Sequence, residues 1–277
     1  MQHYAKKRFG QNFLVDTSVI NHIVDSIQPQ ADDAMIEIGP GLGAMTRPLL
    51  SRLNYLNVIE LDRDIIPKLK MNCEITDIEN KRKLIVNEAD VLKFDFSAFQ
   101  AQQAELQHDN EVKLRIVGNL PYNISTPVLF HLLNHRHLIK DMHFMLQKEV
   151  VDRIVAIPGV KNYGRLSVML QTFCETQALF EVPPYAFQPP PKVDSAILRL
   201  LPKMQFENRI DNFSLYEKLV RLAFSQRRKT LRNTLKALCS SEQIEQAGLL
   251  PGPRAEELSI NDFVELYQMI EKQPATP

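Results

Sequence analysis

The feature that most constrains this chain is the run Ala34-Met35-Ile36-Glu37-Ile38, followed without a break by Gly39-Pro40-Gly41-Leu42-Gly43. A short apolar run ending in glycines reads as a strand buried on both faces, as in a parallel sheet. The glycines permit positive φ and let another group approach the backbone closely. The helix that follows offers N–H groups with no partner of their own. Further short runs recur at 55–60, 84–86, 114–117 and 142–146. Helical patterns lie between them: one begins after Gly43 and includes Pro48, one covers 67–71, and one covers 127–133 with proline near its first turn. Strands alternating with helices predict an α/β fold around a mainly parallel sheet. Two later runs, 178–182 and 195–201, are separated by the proline-rich segment 183–191, which is too short for a crossover helix. They are expected to pair as an antiparallel edge.

After Pro202 the strand signal stops. Apolar residues then recur at helical spacing: Leu215, Leu219, Leu222 and Ala223; Leu231, Leu235 and Leu238; Phe263, Leu266 and Ile270. The expected division is an α/β domain over 1–202 and a small all-helical domain over 203–277. Residues 100–112, rich in Gln, Glu and Asp, are expected to be a surface insertion. The chain has no apolar run near the roughly 18 residues that span a bilayer, and its basic start has no apolar stretch of a signal peptide. A cytoplasmic protein without membrane contact is expected. Cys73, Cys174 and Cys239 are too few and too far apart for a disulfide framework or a metal pair, and no histidine joins them at ligand spacing. Buried reduced thiols and no metal site are expected.

The 33 basic and 33 acidic residues cancel, which excludes a uniformly basic nucleic-acid binder but not a local basic patch. Two stretches break the balance. Lys6, Lys7 and Arg8 stand together. Between Glu217 and Glu242 lie seven cations and no acid, among them Arg221, Arg227, Arg228, Lys229 and Arg232. On one continuous helix Arg221, Arg228 and Arg232 would share a face, because a helix turns about 100° per residue.

The glycines are spaced GxGxG rather than the GxGxxG of a dinucleotide fold. Glu60 ends the second strand, 21 residues after Gly39. A carboxylate there can accept both hydroxyls of a ribose. Asp90, after the third strand, is either a turn cap or an acceptor for an adenine amino group. No basic groups await a pyrophosphate, and Glu37 precedes the glycines. Acids around the site suit a cationic ligand, which favours S-adenosylmethionine over a nicotinamide dinucleotide and an oxidoreductase.

Asn119-Leu120-Pro121-Tyr122 closes the fourth strand, whose end is expected beside that of the first. The Asn119 side-chain oxygen can accept a hydrogen bond from an exocyclic amine. The Leu120 carbonyl, turned outward before Pro121, can accept a second. Tyr122 offers a face on which a base can stack. Two acceptors on one amine hold it with its lone pair forward, toward a methyl group. No strong base is required, because the leaving group is a neutral thioether.

Five segments run from end to end of the chain: Lys7 to Leu14 (KRFGQNFL), Glu37 to Gly43 (EIGPGLG), Asn119 to Ser125 (NLPYNIS), Gln147 to Val150 (QKEV) and Phe187 to Ser195 (FQPPPKVDS). With these the sequence resembles the ribosomal RNA adenine dimethyltransferases, specifically the bacterial branch that acts on 16S rRNA. The resemblance implies a class I, Rossmann-like methyltransferase fold with a helical C-terminal domain. It implies transfer of two methyl groups to each of two adjacent adenosines near the 3′ end of 16S rRNA, in the small subunit or its precursor, with S-adenosylhomocysteine as product. A role as a late assembly checkpoint, and action as a monomer, go with it. The family's cofactor positions fall on Asn12, Leu14, Gly39, Gly41, Glu60, Asp90 and Asn119. Its target-base positions fall on Asn119, Leu120, Pro121, Tyr122 and Phe187, the last expected to stack on the extruded base. The N-terminal segment, where Phe9 and Phe13 alternate with Gln11 and Asn12, is expected to form a lid over the cofactor, its cations facing RNA. Lys6, Lys7, Arg8, Arg221, Arg227, Arg228, Lys229 and Arg232 are the expected RNA contacts. The rival readings are a 23S rRNA methyltransferase of the macrolide-resistance type and a non-catalytic assembly factor. The long helical tail and the segments 147–149 and 191–195 favour the 16S enzyme, and the intact Asn119–Tyr122 motif favours catalysis.

Overall fold

A computed structural model describes residues 12–74, 83–206, 209–250 and 252–272. The chain divides into two compact units. One holds the described residues up to Val151 together with Gln177–Leu201; the other holds Asp152–Thr176 and the described residues from Pro202 onward.

The strands are β1 (Phe13–Leu14), β2 (Ala34–Ile38), β3 (Tyr55–Glu60), β4 (Lys83–Glu88), β5 (Leu114–Asn119), β6 (Ile139–Gln147), β7 (Cys174–Val182), β8 (Phe187–Gln188) and β9 (Ser195–Pro202). Seven of them form one sheet in the order β4-β3-β2-β5-β6-β9-β7. The pairs from β4 across to β6 are parallel, and β9 runs antiparallel to β6. This is the expected α/β sheet, with 178–182 and 195–201 as neighbours at its edge. All five residues of β2 are buried, as are the first five of β5. Their mainly apolar runs, interrupted only by the buried Glu37 and Arg115, follow from coverage on both faces.

The order reverses between β2 and β5: β3 and β4 extend to one side of β2, β5 and β6 to the other. Such a switch point opens a crevice at the carboxyl ends of the two strands. At that point Gly118 of β5 sits opposite Ile38 of β2. A Cβ on Gly118 would lie 2.5 Å from the Ile38 carbonyl oxygen, inside any tolerable contact. Lower in the same pair, the buried Arg115 guanidinium bonds Asp141 on β6, with Nη2 to Oδ2 at 2.8 Å, and Asp33 at 2.5 Å. It also donates to the carbonyls of Ile27 and Gln28, at 2.6 and 3.1 Å. The helix Thr17–Ile27 is thereby tied to the sheet, while Ile23, Val24 and Ile27 bury its apolar face. Its start is capped by Asp16, which accepts from the N–H groups of Ser18 and Val19.

Residues 100–112 are no insertion: most of them belong to the helix Phe96–Gln107, capped by Asp95 and burying Phe96, Phe99, Gln103 and Ala104. This helix connects β4 to β5. Its exposed face carries the glutamines and glutamate that concealed the buried one. β1 and β8, also unforeseen, form a separate antiparallel pair, Phe13 opposite Gln188 and Leu14 opposite Phe187.

The second unit is helical, with Arg165–Phe173, Phe213–Ala223, Leu231–Thr234, Ser241–Gln246 and Ile260–Lys272. Its core joins Phe173, Tyr216 and Tyr267 edge to face, and Thr172 and Tyr216 share a hydroxyl hydrogen bond of 2.8 Å. The basic stretch is not one helix. The helix stops at Ala223, where the Phe224 ring is pinned against Phe263 and Tyr163, and turns carry the chain to Leu231. The expected shared face of Arg221, Arg228 and Arg232 therefore does not exist. Cys73, Cys174 and Cys239 are all buried. Among the described residues no helix is long and apolar enough to cross a membrane.

Gly118→Ala is expected to cost about 2–3 kcal/mol or more, because a backbone oxygen cannot yield to the new methyl. Gly252→Ala, where a Cβ meets nothing within 4 Å, is expected to change stability by under about 0.5 kcal/mol. Urea unfolding of both variants checks the contrast.

Candidate active site

The glycine turn leaves β2 with Gly39 at φ 66° and Gly41 at φ 56°, left-handed conformations that a side chain resists. The Gly39 N–H donates to the Ile59 carbonyl at 3.0 Å, which clamps the turn to the end of β3. A Cβ on Gly41 would touch the Phe13 ring at 3.4 Å, so Phe13 lies against the turn.

Below the turn, Glu37 is 1% exposed. Its Oε2 accepts a 2.6 Å hydrogen bond from Thr46 Oγ1. Burial pushes its carboxyl up to about 7, with Thr46 pulling against that and Glu60 adding to it. Glu60 itself, at the end of β3, is 8% exposed. Its carboxyl is also raised, chiefly by burial, although the N–H groups of Asp62, Gly41 and Leu61 all donate to it. Asp90 Oδ1 accepts from the Leu92 N–H at 3.0 Å and caps the short turn Val91–Lys93. The capping role and a place in the cleft coexist.

β5 ends in Asn119, whose Nδ2 donates to the Asn12 carbonyl at 3.4 Å. Among the described residues no hydrogen bond reaches the Asn119 side-chain oxygen, which is left open as an acceptor. The Leu120 N–H is taken by the Met145 carbonyl on β6, and Pro121 has no N–H. The Tyr122 hydroxyl meets Ser195 Oγ at 3.0 Å, which fixes the ring edge. Burial raises the Tyr122 phenol above its usual range, with the Ser195 bond opposing it.

These groups surround one cleft of about 910 Å³. Asn12, Leu14, Gly39, Gly41, Glu60, Asp90, Asn119, Leu120, Pro121 and Tyr122 all line it. Among the lining residues missed in the sequence are Leu61, 54% exposed, and Val91. Each directly follows an acid singled out above, Glu60 or Asp90, and that adjacency was the available signal. Thr46 under Glu37 had none. Among the described residues no cluster of three or more His, Cys, Asp or Glu could hold a metal ion.

Phe187 is not brought to the cleft. It is 4% exposed and packs in the core with Leu14, Val182 and Ala186, held there by β1–β8 pairing. The expected stacking on a base is thus not available to its ring in this structure. Of the expected RNA contacts, Lys6, Lys7 and Arg8 lie outside the described residues, as do Phe9 and Gln11 of the expected lid. Arg221, Arg228, Lys229 and Arg232 are exposed on the helical unit. Arg227 is exposed too, but donates to the Lys161 carbonyl at 2.8 Å and sits 3.5 Å from Glu256.

The family model described as ribosomal RNA adenine dimethylase matches residues 2–272. A ribosomal RNA small subunit methyltransferase A from Neisseria meningitidis (strain Z2491) is 49% identical over 96% of this chain and 96% of its own length. One of the same description from Pseudomonas fluorescens (strain Pf0-1) is 50% identical over 99% of this chain and 96% of its own. Among solved structures, a dimethyladenosine transferase from Plasmodium falciparum superposes with TM-score 0.74 at 28% identity, covering 92% of this chain and 95% of that one. The 23S rRNA methyltransferase ErmE superposes with TM-score 0.66 at 23% identity, covering 94% and 100%, a likeness of fold.

The position of Glu37 has a consequence for stability. Its folded carboxyl titrates near 7 against an ordinary 4.5. Between those values the folded state keeps a proton that the unfolded state has lost, so stability of the ligand-free protein falls as pH rises through that window. Glu37→Gln keeps an acceptor for Thr46 and removes this slope, which is worth on the order of 3 kcal/mol at most. Urea unfolding at both ends of the window, for wild type and variant, checks it; parallel pH slopes would show that Glu37 holds no extra proton.

Proposed function

Because the chain belongs to the ribosomal RNA adenine dimethylase family, we propose that it transfers methyl groups from S-adenosylmethionine to two adjacent adenosines near the 3′ end of 16S rRNA. Each adenosine receives two methyl groups on N6, in the small ribosomal subunit or its precursor. The observation that carries this reading is the Asn119 side-chain oxygen, left open as an acceptor in the same cleft as the glycine turn and Glu60. The half-identical relatives described as small-subunit enzymes support the 16S substrate over the 23S alternative.

The residues fit an adenosyl donor. Glu60 takes the ribose hydroxyls on its carboxylate. Asp90 takes the adenine amino group. Gly39 and Gly41 admit the rest of the ligand against bare backbone, and Leu14 with Asn12 closes the wall. S-adenosylmethionine supplies an electrophilic methyl on a sulfonium that leaves as a neutral thioether. The Asn119 side-chain oxygen and the Leu120 carbonyl accept from the two hydrogens of the target amine, directing its lone pair forward. Pro121 holds the Leu120 carbonyl outward. The Tyr122 ring, its edge tied to Ser195, carries the base. A neutral amine attacking a cation calls for no metal and no strong base: the new N–C bond replaces the S–C bond, and the proton of the cationic methylated amine, now strongly acidic, leaves to water. The α/β domain, expected over 1–202 but without Asp152–Thr176, which fall in the helical unit, performs the chemistry. The helical domain, 203–277, holds rRNA phosphates through Arg221, Arg228, Lys229 and Arg232, with Lys6, Lys7 and Arg8 as further contacts. A single chain acts alone, in the cytoplasm where its substrate is assembled, and its binding there also serves as a late assembly checkpoint.

A strain lacking its own 16S enzyme, supplied with this chain, regains dimethyladenosine in 16S rRNA digests by mass spectrometry. Its appearance in 23S rRNA instead would select the rival reading. Glu60→Ala is expected to weaken S-adenosylmethionine binding by about 1.5–3 kcal/mol in calorimetry, through loss of charge-assisted bonds. Asn119→Ala is expected to slow methyl transfer about a hundredfold or more, as losing one positioned acceptor does, with particle binding unchanged. Tyr122→Phe is expected to cost about 1 kcal/mol, the size of its Ser195 bond, whereas Tyr122→Ala removes the stacking face and most of the rate.

A further inference from the structure

Tyr185 is the one tyrosine or phenylalanine among the described residues with an exposed side chain, at 77%. A single exposed apolar residue is ordinary on a protein surface; the setting of this one is not. Tyr185 sits in the middle of the tight turn Pro184–Ala186. The turn is closed by the Ala186 N–H on the Pro183 carbonyl at 3.1 Å. The Ala186 carbonyl in turn accepts from two N–H groups, those of Val15 at 2.8 Å and Asp16 at 3.3 Å. The next residue, Phe187, pairs with Leu14, and the side chains of Ala186 and Phe187 are buried. Leu14 and Val15 line the cleft. The backbone that carries Tyr185 is therefore bonded to the wall of the cleft, while its ring is left in solvent. The same proline-rich segment ends at Ser195, which holds the Tyr122 hydroxyl. It also presents the exposed cation Lys192.

We infer that Tyr185 is a positioning residue whose ring stacks on a nucleotide flanking the target adenosine, an inference that rests on the RNA substrate proposed above. Extruding one base strips its neighbours of a stacking partner and leaves open faces beside the gap. A flat ring on a fixed turn replaces that partner, and single-stranded RNA is commonly held by aromatic faces with cations tracking its phosphates. The sequence pattern assigned stacking on this segment to Phe187. The structure buries that ring and presents Tyr185 instead.

The test is steady-state methyl transfer to undermethylated small ribosomal subunits. Tyr185→Ala is expected to raise KM for the subunit roughly tenfold, the scale of one lost base stack, with kcat, S-adenosylmethionine affinity and Tm unchanged. Tyr185→Phe and Tyr185→Trp are expected to restore the wild-type KM, and Tyr185→Leu is not. An unchanged KM in Tyr185→Ala beside an active wild type overturns the inference alone, as does full rescue by leucine, which would mean mere apolar cover. A wild type that methylates no small subunits overturns the substrate reading and this inference with it.

Discussion

The contact on which the rest depends is the approach of β5 to β2 at Gly118 and Ile38. Only a residue without a side chain fits there, since a Cβ would stand 2.5 Å from the Ile38 oxygen. The two parallel strands both end just past that pair, β2 in the glycine turn and β5 in Asn119. Their ends are consequently level: a Cβ on Gly39 would stand 3.9 Å from the Asn119 carbonyl oxygen. The glycine turn at one strand end and Asn119 at the next share a cleft because the backbones are this close. The Arg115 network fixes the same pair from below, joining Asp33, Asp141 and the end of the helix Thr17–Ile27.

Electrostatics then separates the tasks around the cleft. Glu37 and Glu60 are both buried acids whose carboxyls are pushed up by lost solvation. Among the described residues neither has a cationic side chain as its partner, and each is held by neutral donors: Thr46 for one, backbone N–H groups for the other. A cation bound beside them would favour the ionised form of each carboxyl. Asn119 and Leu120, by contrast, present neutral oxygens, which suits a neutral amine.

What could be read in the sequence was local. The glycine turn, Glu60, Asp90 and Asn119 to Tyr122 all sit at strand ends, where a short pattern states both the element and the direction it faces. The parallel order followed from alternating runs. What could not be read depends on contacts between distant segments. The helix Phe96–Gln107 hides behind a polar face and shows only a few apolar residues to the core. The basic stretch looks continuous in sequence, but Phe224 is claimed by Phe263 and Tyr163 and the helix ends there. Phe187 and Tyr185 lie two residues apart on one segment, and nothing local says which is buried. The pairing of β1 with β8 decides it, across more than 170 residues. Arg115 gave no signal at all, because its partners come from three separate segments.

The most direct measurement is a crystal structure with S-adenosylhomocysteine bound. The account predicts the ribose hydroxyls on the Glu60 carboxylate, the adenine edge at Asp90, and the sulfur directed at Asn119 and Tyr122. A ligand whose sulfur points away from Asn119, or one that leaves Glu60 untouched, would contradict it.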